Sequence, residues 1–272
     1  MKHPSHGHHV HHHYIRYPVT LHERIYVIFL GPLVLVALMY AAFYFYPTLV
    51  PSGETVSLST IVVATLYTCV RLLIAYVLAV IVAIPLALLV TSNPILETIF
   101  LPVFDIFESI PILALFPVVI MLFIQFGNLN GAAIFILFLA MLWNIVLTLV
   151  GGLKLIPQDI MYAARVFGIR GFEVVRRVTL PALFPQLVTG SILAVAQGWN
   201  LIIVAEVLHT YIPGGTSAQD LFGVGSILVS AAANARNGVF LACVLVMVLV
   251  IALLNFFVWQ KLLHRAQRFR FE

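Results

Sequence analysis

Residues 58–90 form a run of 33 residues with a single charged side chain, Arg71. As a helix this run is about 50 Å long, which exceeds the roughly 30 Å hydrocarbon core of a bilayer. A water-soluble fold has no surface on which to lay it. Five further apolar runs occupy residues 25–46, 99–126, 132–153, 180–208 and 239–262. They are long and unbroken, unlike the short alternating segments of a membrane β-barrel. Of 272 residues, 62% are hydrophobic and 9% charged, and the mean hydropathy is +1.10. That leaves too little polar surface for a soluble globule. The expected fold is an all-α polytopic membrane bundle of about six transmembrane helices. The run at 58–90 must tilt, bend or protrude, with Pro85 as the expected kink.

The basic residues set the expected topology. Lys2, Arg16 and Arg24 precede the first run. Lys154, Arg165, Arg170, Arg176 and Arg177 lie between the fourth and fifth, and Lys261, Arg265, Arg268 and Arg270 close the chain. In a six-span arrangement these twelve of the 14 Lys and Arg residues fall on one side. The positive-inside rule makes that side, and both termini, cytoplasmic. The expected home is therefore a bacterial or archaeal plasma membrane, crossed several times. The same clustering at span ends explains the pI of 9.2 without nucleic acid. The first run starts near residue 25 and has no small-residue cleavage site after a short core, so it is expected to be retained as a span.

Residues 1–24 read as a His-rich cytoplasmic tail, 25–262 as one transmembrane domain with a loop at about 155–181, and 263–272 as a basic cytoplasmic tail. His3, His6, His8, His9, His11, His12 and His13 crowd the first tail. Such a tract is either a metal-binding segment or an unstructured or added tail. Elsewhere no metal-ligand spacing occurs. Cys69 and Cys243 lie inside apolar runs and behave as small hydrophobes.

The loop at 155–181 has internal order. Pro157 can open a helix, with Asp159 suited to its positive N-terminal end. Residues 161–167 are helix-compatible, and Gly168 and Gly171 permit a turn. A second helical piece from Phe172 leads to Leu180-Pro181, where the proline can open the fifth span. A short helix outside the bilayer is marginal by itself and needs a partner for its apolar side.

Here the residues resemble a known signature. Ala163-Ala164, three residues, Gly168, nine residues, Val178, one residue and Leu180-Pro181 keep the spacing of the coupling loop of ABC-importer permeases: Glu-Ala-Ala, three residues, Gly, nine residues, Ile, one residue, Leu-Pro. Val178 replaces Ile, and Tyr162 replaces the leading Glu, which removes a carboxylate from the ATPase contact. Thr65, Thr68, Arg71, Ile84, Pro85 and Leu86 are similar to the second span of the nitrate, sulfonate, taurine and bicarbonate branch. The segments 109–117, Pro213-Gly214-Gly215-Thr216 and Gly223-Val224-Gly225-Ser226 resemble later parts of it. The likeness extends from about Thr65 to Trp259.

The resemblance implies a type I importer subunit. Two permease subunits, identical or paralogous, would form the pathway, with two ABC ATPase subunits beneath and an extracytoplasmic substrate-binding protein delivering a small solute. A small anion such as nitrate, sulfonate or bicarbonate is favoured, and a vitamin precursor is the alternative within the family. ATP and Mg would bind the partner ATPase. Among the three lysines none follows a glycine, so this chain has no Walker-type phosphate loop and is expected to be no enzyme. An ion-driven secondary transporter and a polytopic membrane enzyme are the alternatives from other classes. His209 and His264, far apart in sequence, suit the latter poorly.

Arg71, Asp105, Glu108 and Glu206 fall within expected spans, where charge is costly and should face the bundle interior or water. Asp105 and Glu108 share one side of their helix, as do Trp199 and Glu206. Gln197, Asn200 and Asn144 complete the candidate lining. Arg71 either pairs with a carboxylate and ties spans together or contacts solute. One arginine against three carboxylates makes the expected interior net acidic.

Overall fold

The computed structural model describes residues 56–267. By backbone contacts the chain divides into Met1–Pro47 and Thr48–Glu272, and every described residue belongs to the second unit. The expected span at 25–46, the His tract at 3–13 and Arg268 and Arg270 lie outside the described residues.

Eight helices organise the described residues, and no strand occurs among them. They are α1 (Leu58–Thr91), α2 (Pro94–Ser109), α3 (Ile112–Gln125), α4 (Leu129–Lys154), α5 (Gln158–Val166), α6 (Phe172–Glu206), α7 (Val224–Ala233) and α8 (Asn237–Ala266). Helices α1, α4, α6 and α8 are long and apolar enough to cross a membrane. The expected all-helical membrane fold is the one observed.

The core is built on α4, which packs between α1 and α6. Ala75, Ala79, Ala83 and Ala87 repeat every fourth residue on α1 and are all fully buried. That stripe of methyls lets the helix backbones approach closely, as membrane helices require where lipid offers no hydrophobic drive. Large side chains such as Leu66, Leu73 and Ile81 point out of the bundle. Pro85 lies inside α1, which continues as one helix to Thr91.

Three elements depart from the sequence reading. The expected third span at 99–126 is broken into α2 and α3, which meet at 86°. Pro111 supplies the reason. It disfavours helical backbone at Ile110, which is extended (φ −69°, ψ 123°), and it has no N–H to continue the ladder. Second, the fifth span does not begin at Pro181. Helix α6 starts at Phe172 and runs through Leu180-Pro181, with one widened π-helical turn at Val175–Thr179. The Leu180 N–H bonds back to the Val175 carbonyl, five residues earlier. This wider turn precedes Pro181, whose ring would press on the carbonyl four residues before it in a regular helix. Third, α7 is an extra apolar helix of 10 residues, too short to cross a bilayer. The sequence showed only its glycine-rich entry.

Lys154 forms an ion pair with Glu97, so the end of α4 and the start of α2 lie together. The last turns of α8 pack against α6.

Candidate functional site

Two buried polar side chains, Thr68 and Arg71, converge on Glu206, the last residue of α6, which is fully buried. Its Oε1 accepts from Arg71 Nη1 at 2.7 Å and from the Thr68 hydroxyl at 2.6 Å. Oε2 accepts from the Gly225 N–H at 2.8 Å, and the Glu206 carbonyl accepts from the Leu221 N–H at 2.9 Å. Thr68 and Arg71 stand three apart on α1 and therefore share a face. Thr68 accepts in turn from the Val224 N–H at 3.0 Å. Arg71 also donates from Nε to Asn130 Oδ1 on α4 at 2.9 Å and from Nη2 to the Phe222 carbonyl at 3.0 Å. One arginine and one carboxylate thus join α1, α4, α6 and the strand-like entry to α7. No buried side-chain N or O among the described residues lacks a partner.

The approach is close enough to demand glycine. A Cβ on Gly225 would lie 2.8 Å from Ile203 Cα and 2.9 Å from Glu206 Oε2, and one on Gly223 would overlap the Glu206 carboxylate. Gly225→Ala should cost about 1–3 kcal/mol of stability, as overpacked sites do. A thermal unfolding midpoint equal to that of the parent chain would contradict this.

The candidate lining residues separate into two groups. Trp199 is buried beside Glu206's helix face, and Gln197 is half-buried. Asn144 is half-buried and donates to the Ala140 carbonyl. Asn200 is exposed. Asp105 and Glu108, expected to face the interior, are exposed on α2. Phe104 takes the buried position instead, its ring tilted against Trp143 of α4, while the exposed Phe107 stacks on the same indole. The expected excess of acid inside is therefore absent from the buried set, where Arg71 and Glu206 balance.

The loop after α4 makes a second site. Pro157 caps α5, one residue earlier than the first-turn position. The helix closes at Gly168, whose φ of +76° is the left-handed conformation glycine favours. The Gly168 N–H bonds to the Arg165 carbonyl and the Ile169 N–H to the Ala164 carbonyl, the paired bonds of a Schellman closure. Ala164 is buried, whereas Tyr162 and Ala163 are exposed. Val166, Phe167 and Phe172 are 84%, 81% and 78% exposed, an apolar display without a covering element among the described residues. Arg165 lies over the Tyr162 ring at 6.0 Å, and Arg177 pairs with Glu173 at 3.1 Å. Val178, Leu180 and Pro181 are half-buried along the start of α6.

Sequence reasoning singled out Arg71 and Glu206 as charges and named Thr68 and Gly225 only within resembling segments; it did not bring them together, and it missed Asn130. The glycine pair at 223 and 225 was the available signal, since glycine marks close backbone approach. The Lys154–Glu97 pair carried no sequence signal. Among the described residues no cluster of three or more His, Cys, Asp or Glu side chains could hold a metal.

A helical bundle with a buried ionic knot and a short external helix between two spans is a polytopic membrane protein. The chain belongs to the family described as binding-protein-dependent transport system inner membrane component, whose pattern matches residues 75–268. It is similar to the nitrate import permease protein of Leptolyngbya laminosa, 30% identical over 156 residues, covering 57% of this chain and 55% of that one. A putative ABC transporter permease protein of Methanocaldococcus jannaschii is 27% identical over 206 residues, 71% of each chain. The bicarbonate transport system permease protein of Synechococcus elongatus is 32% identical over 137 residues, 50% of this chain and 48% of that one. The matched stretch spans about half the length of the nitrate and bicarbonate relatives.

Proposed function

We propose that this chain is the permease subunit of an ATP-driven importer, forming part of the pathway for a small solute and coupled through α5 to a separate ATPase. The observation that carries this is the Gly168-closed helix α5. The signature spacing from Ala163 to Pro181 runs from this helix through its glycine turn into α6, and Tyr162, Val166, Phe167 and Phe172 are exposed along it. An exposed apolar helix face of this kind is suited to a groove on another protein. The partners in this reading are two ABC ATPase subunits that bind ATP and Mg, a second permease subunit and an extracytoplasmic binding protein. The α5 end and both termini are cytoplasmic, in agreement with Lys154, Arg165, Arg170, Arg176 and Arg177 in that loop.

A small anion of the nitrate, bicarbonate or sulfonate type is the favoured cargo, and two relatives are named for nitrate and bicarbonate. A vitamin precursor stays as the second reading for one reason. The buried Arg71 already has its charge balanced by Glu206 and also donates to Asn130 and the Phe222 carbonyl, which leaves no uncompensated cation for an anion. The test is uptake in proteoliposomes holding the permease, its ATPase and its binding protein, against nitrate, bicarbonate, taurine and vitamin precursors. ATP-dependent uptake of one panel member is expected. Uptake that proceeds without ATP would overturn the reading in favour of an ion-driven transporter.

A further inference from the structure

Helix α2 is the least anchored long element of the bundle. Of its 16 residues only Phe104 is buried, and its ring contacts run to Phe100 and to Trp143 of α4. At its far end the ladder is interrupted. Ile110 bonds back to Ile106 and Ala114 to Pro111, so no backbone hydrogen bond crosses from Ile110 into α3. The extended Ile110 and the fixed φ of Pro111 make this an articulated joint. At its near end, Glu97 in the first turn of α2 pairs with Lys154, the last residue of α4.

Lys154 is also the threshold of the external helix. Three residues separate it from α5, and they are stiff. The Leu155 and Ile156 N–H groups bond back to Gly152 and Leu153, and Pro157 caps α5 and accepts from the Ile160 N–H. A displacement of α5 therefore moves Lys154 rather than being absorbed in slack chain. Among the described ion pairs, Lys154–Glu97 alone ties this threshold to another apolar helix.

We propose that Lys154 and Glu97 are positioning residues that form a latch, through which movement of α5 is passed to α2 and swings it about Ile110-Pro111. Both side chains are partly exposed, at 46% and 28%, and an exposed ion pair is weak enough to break and re-form. The face that α2 carries with it includes the exposed Asp105 and Glu108, so the swing changes the charge presented there. This inference rests on the importer reading.

Two measurements test it. Amide hydrogen exchange on the purified permease in nanodiscs reads the latch directly. Lys154→Ala should raise exchange at residues 94–109 while leaving α4 unchanged, and unchanged exchange in α2 overturns the latch. Uptake by the reconstituted complex reads the transmission. Lys154→Glu and Glu97→Lys should each lower ATP-dependent uptake about fivefold or more, and the double exchange should restore it, with ATPase association kept throughout. Single variants that transport normally, or a double variant that stays as low as the singles, would refute the transmission. A parent complex with no ATP-dependent uptake would instead sink the importer reading, while the exchange measurement still decides whether the latch exists.

Discussion

Arg71→Ala is expected to destabilise the bundle by about 3–5 kcal/mol, because removing one member of a buried ion pair strands the other. Glu206 would keep its bonds from Thr68 and Gly225 but hold a carboxylate with no cation, at zero exposure. Glu206→Ala should be equally severe, since Arg71 would retain only neutral acceptors at Asn130 and Phe222. The readout is the thermal midpoint and monodispersity of detergent-purified protein. The double variant Arg71→Met/Glu206→Gln separates structure from transport. Replacing both members of a buried pair removes the stranded charge, so it should fold far better than either alanine variant. If the pair only ties α1, α4 and α6 together, the refolded double variant transports. If Arg71 handles solute, it folds and does not transport.

Gly168→Val should do the opposite, costing the bundle less than the loss of Arg71 does while weakening the hold on the ATPase. A Cβ there meets open space, and the residue is exposed. The cost is conformational, about 1–2 kcal/mol for a non-glycine residue at φ +76°. That cost falls on the Schellman closure, which sets how α5 ends and how Val166 and Phe167 are shown. A change of that size in the docking competence of α5 corresponds to about a tenfold loss of affinity. Co-purification of the ATPase with the parent and the variant measures it. A variant that retains the ATPase at parental yield, with an unchanged midpoint, would disprove the assignment of α5 as the docking element.

The helical runs were legible from composition because membrane spans need an unbroken apolar length and nothing else. For the same reason hydropathy is blind to where such a run bends. The run at 99–126 reads as one span by its apolar content, but Pro111 divides it. The sequence contained that proline, yet prolines at 85, 102, 117 and 185 sit inside continuous helices. Whether a proline breaks or only perturbs a helix depends on neighbours that can take up the freed carbonyl, and these are tertiary. The same holds at Pro181, which lies after the π-helical turn rather than at a helix start.

What the sequence by itself determined is the bundle of long helices, the ordered loop with its glycine closure and the presence of costly charges at membrane depth. Each follows from local chemistry: apolar length, the left-handed freedom of Gly168 and the desolvation cost of Arg71 and Glu206. Only the tertiary structure decided which charges meet. Arg71 and Glu206 are 135 positions apart, and nothing in a one-dimensional pattern distinguishes Glu206 from Asp105 or Glu108 as the partner. The choice is geometric. Gly223 and Gly225 let the chain after α6 fold back against the Glu206 carboxylate, which closes a buried, fully hydrogen-bonded site there. The Phe104 ring takes the inward position of α2 and leaves its two acids outside.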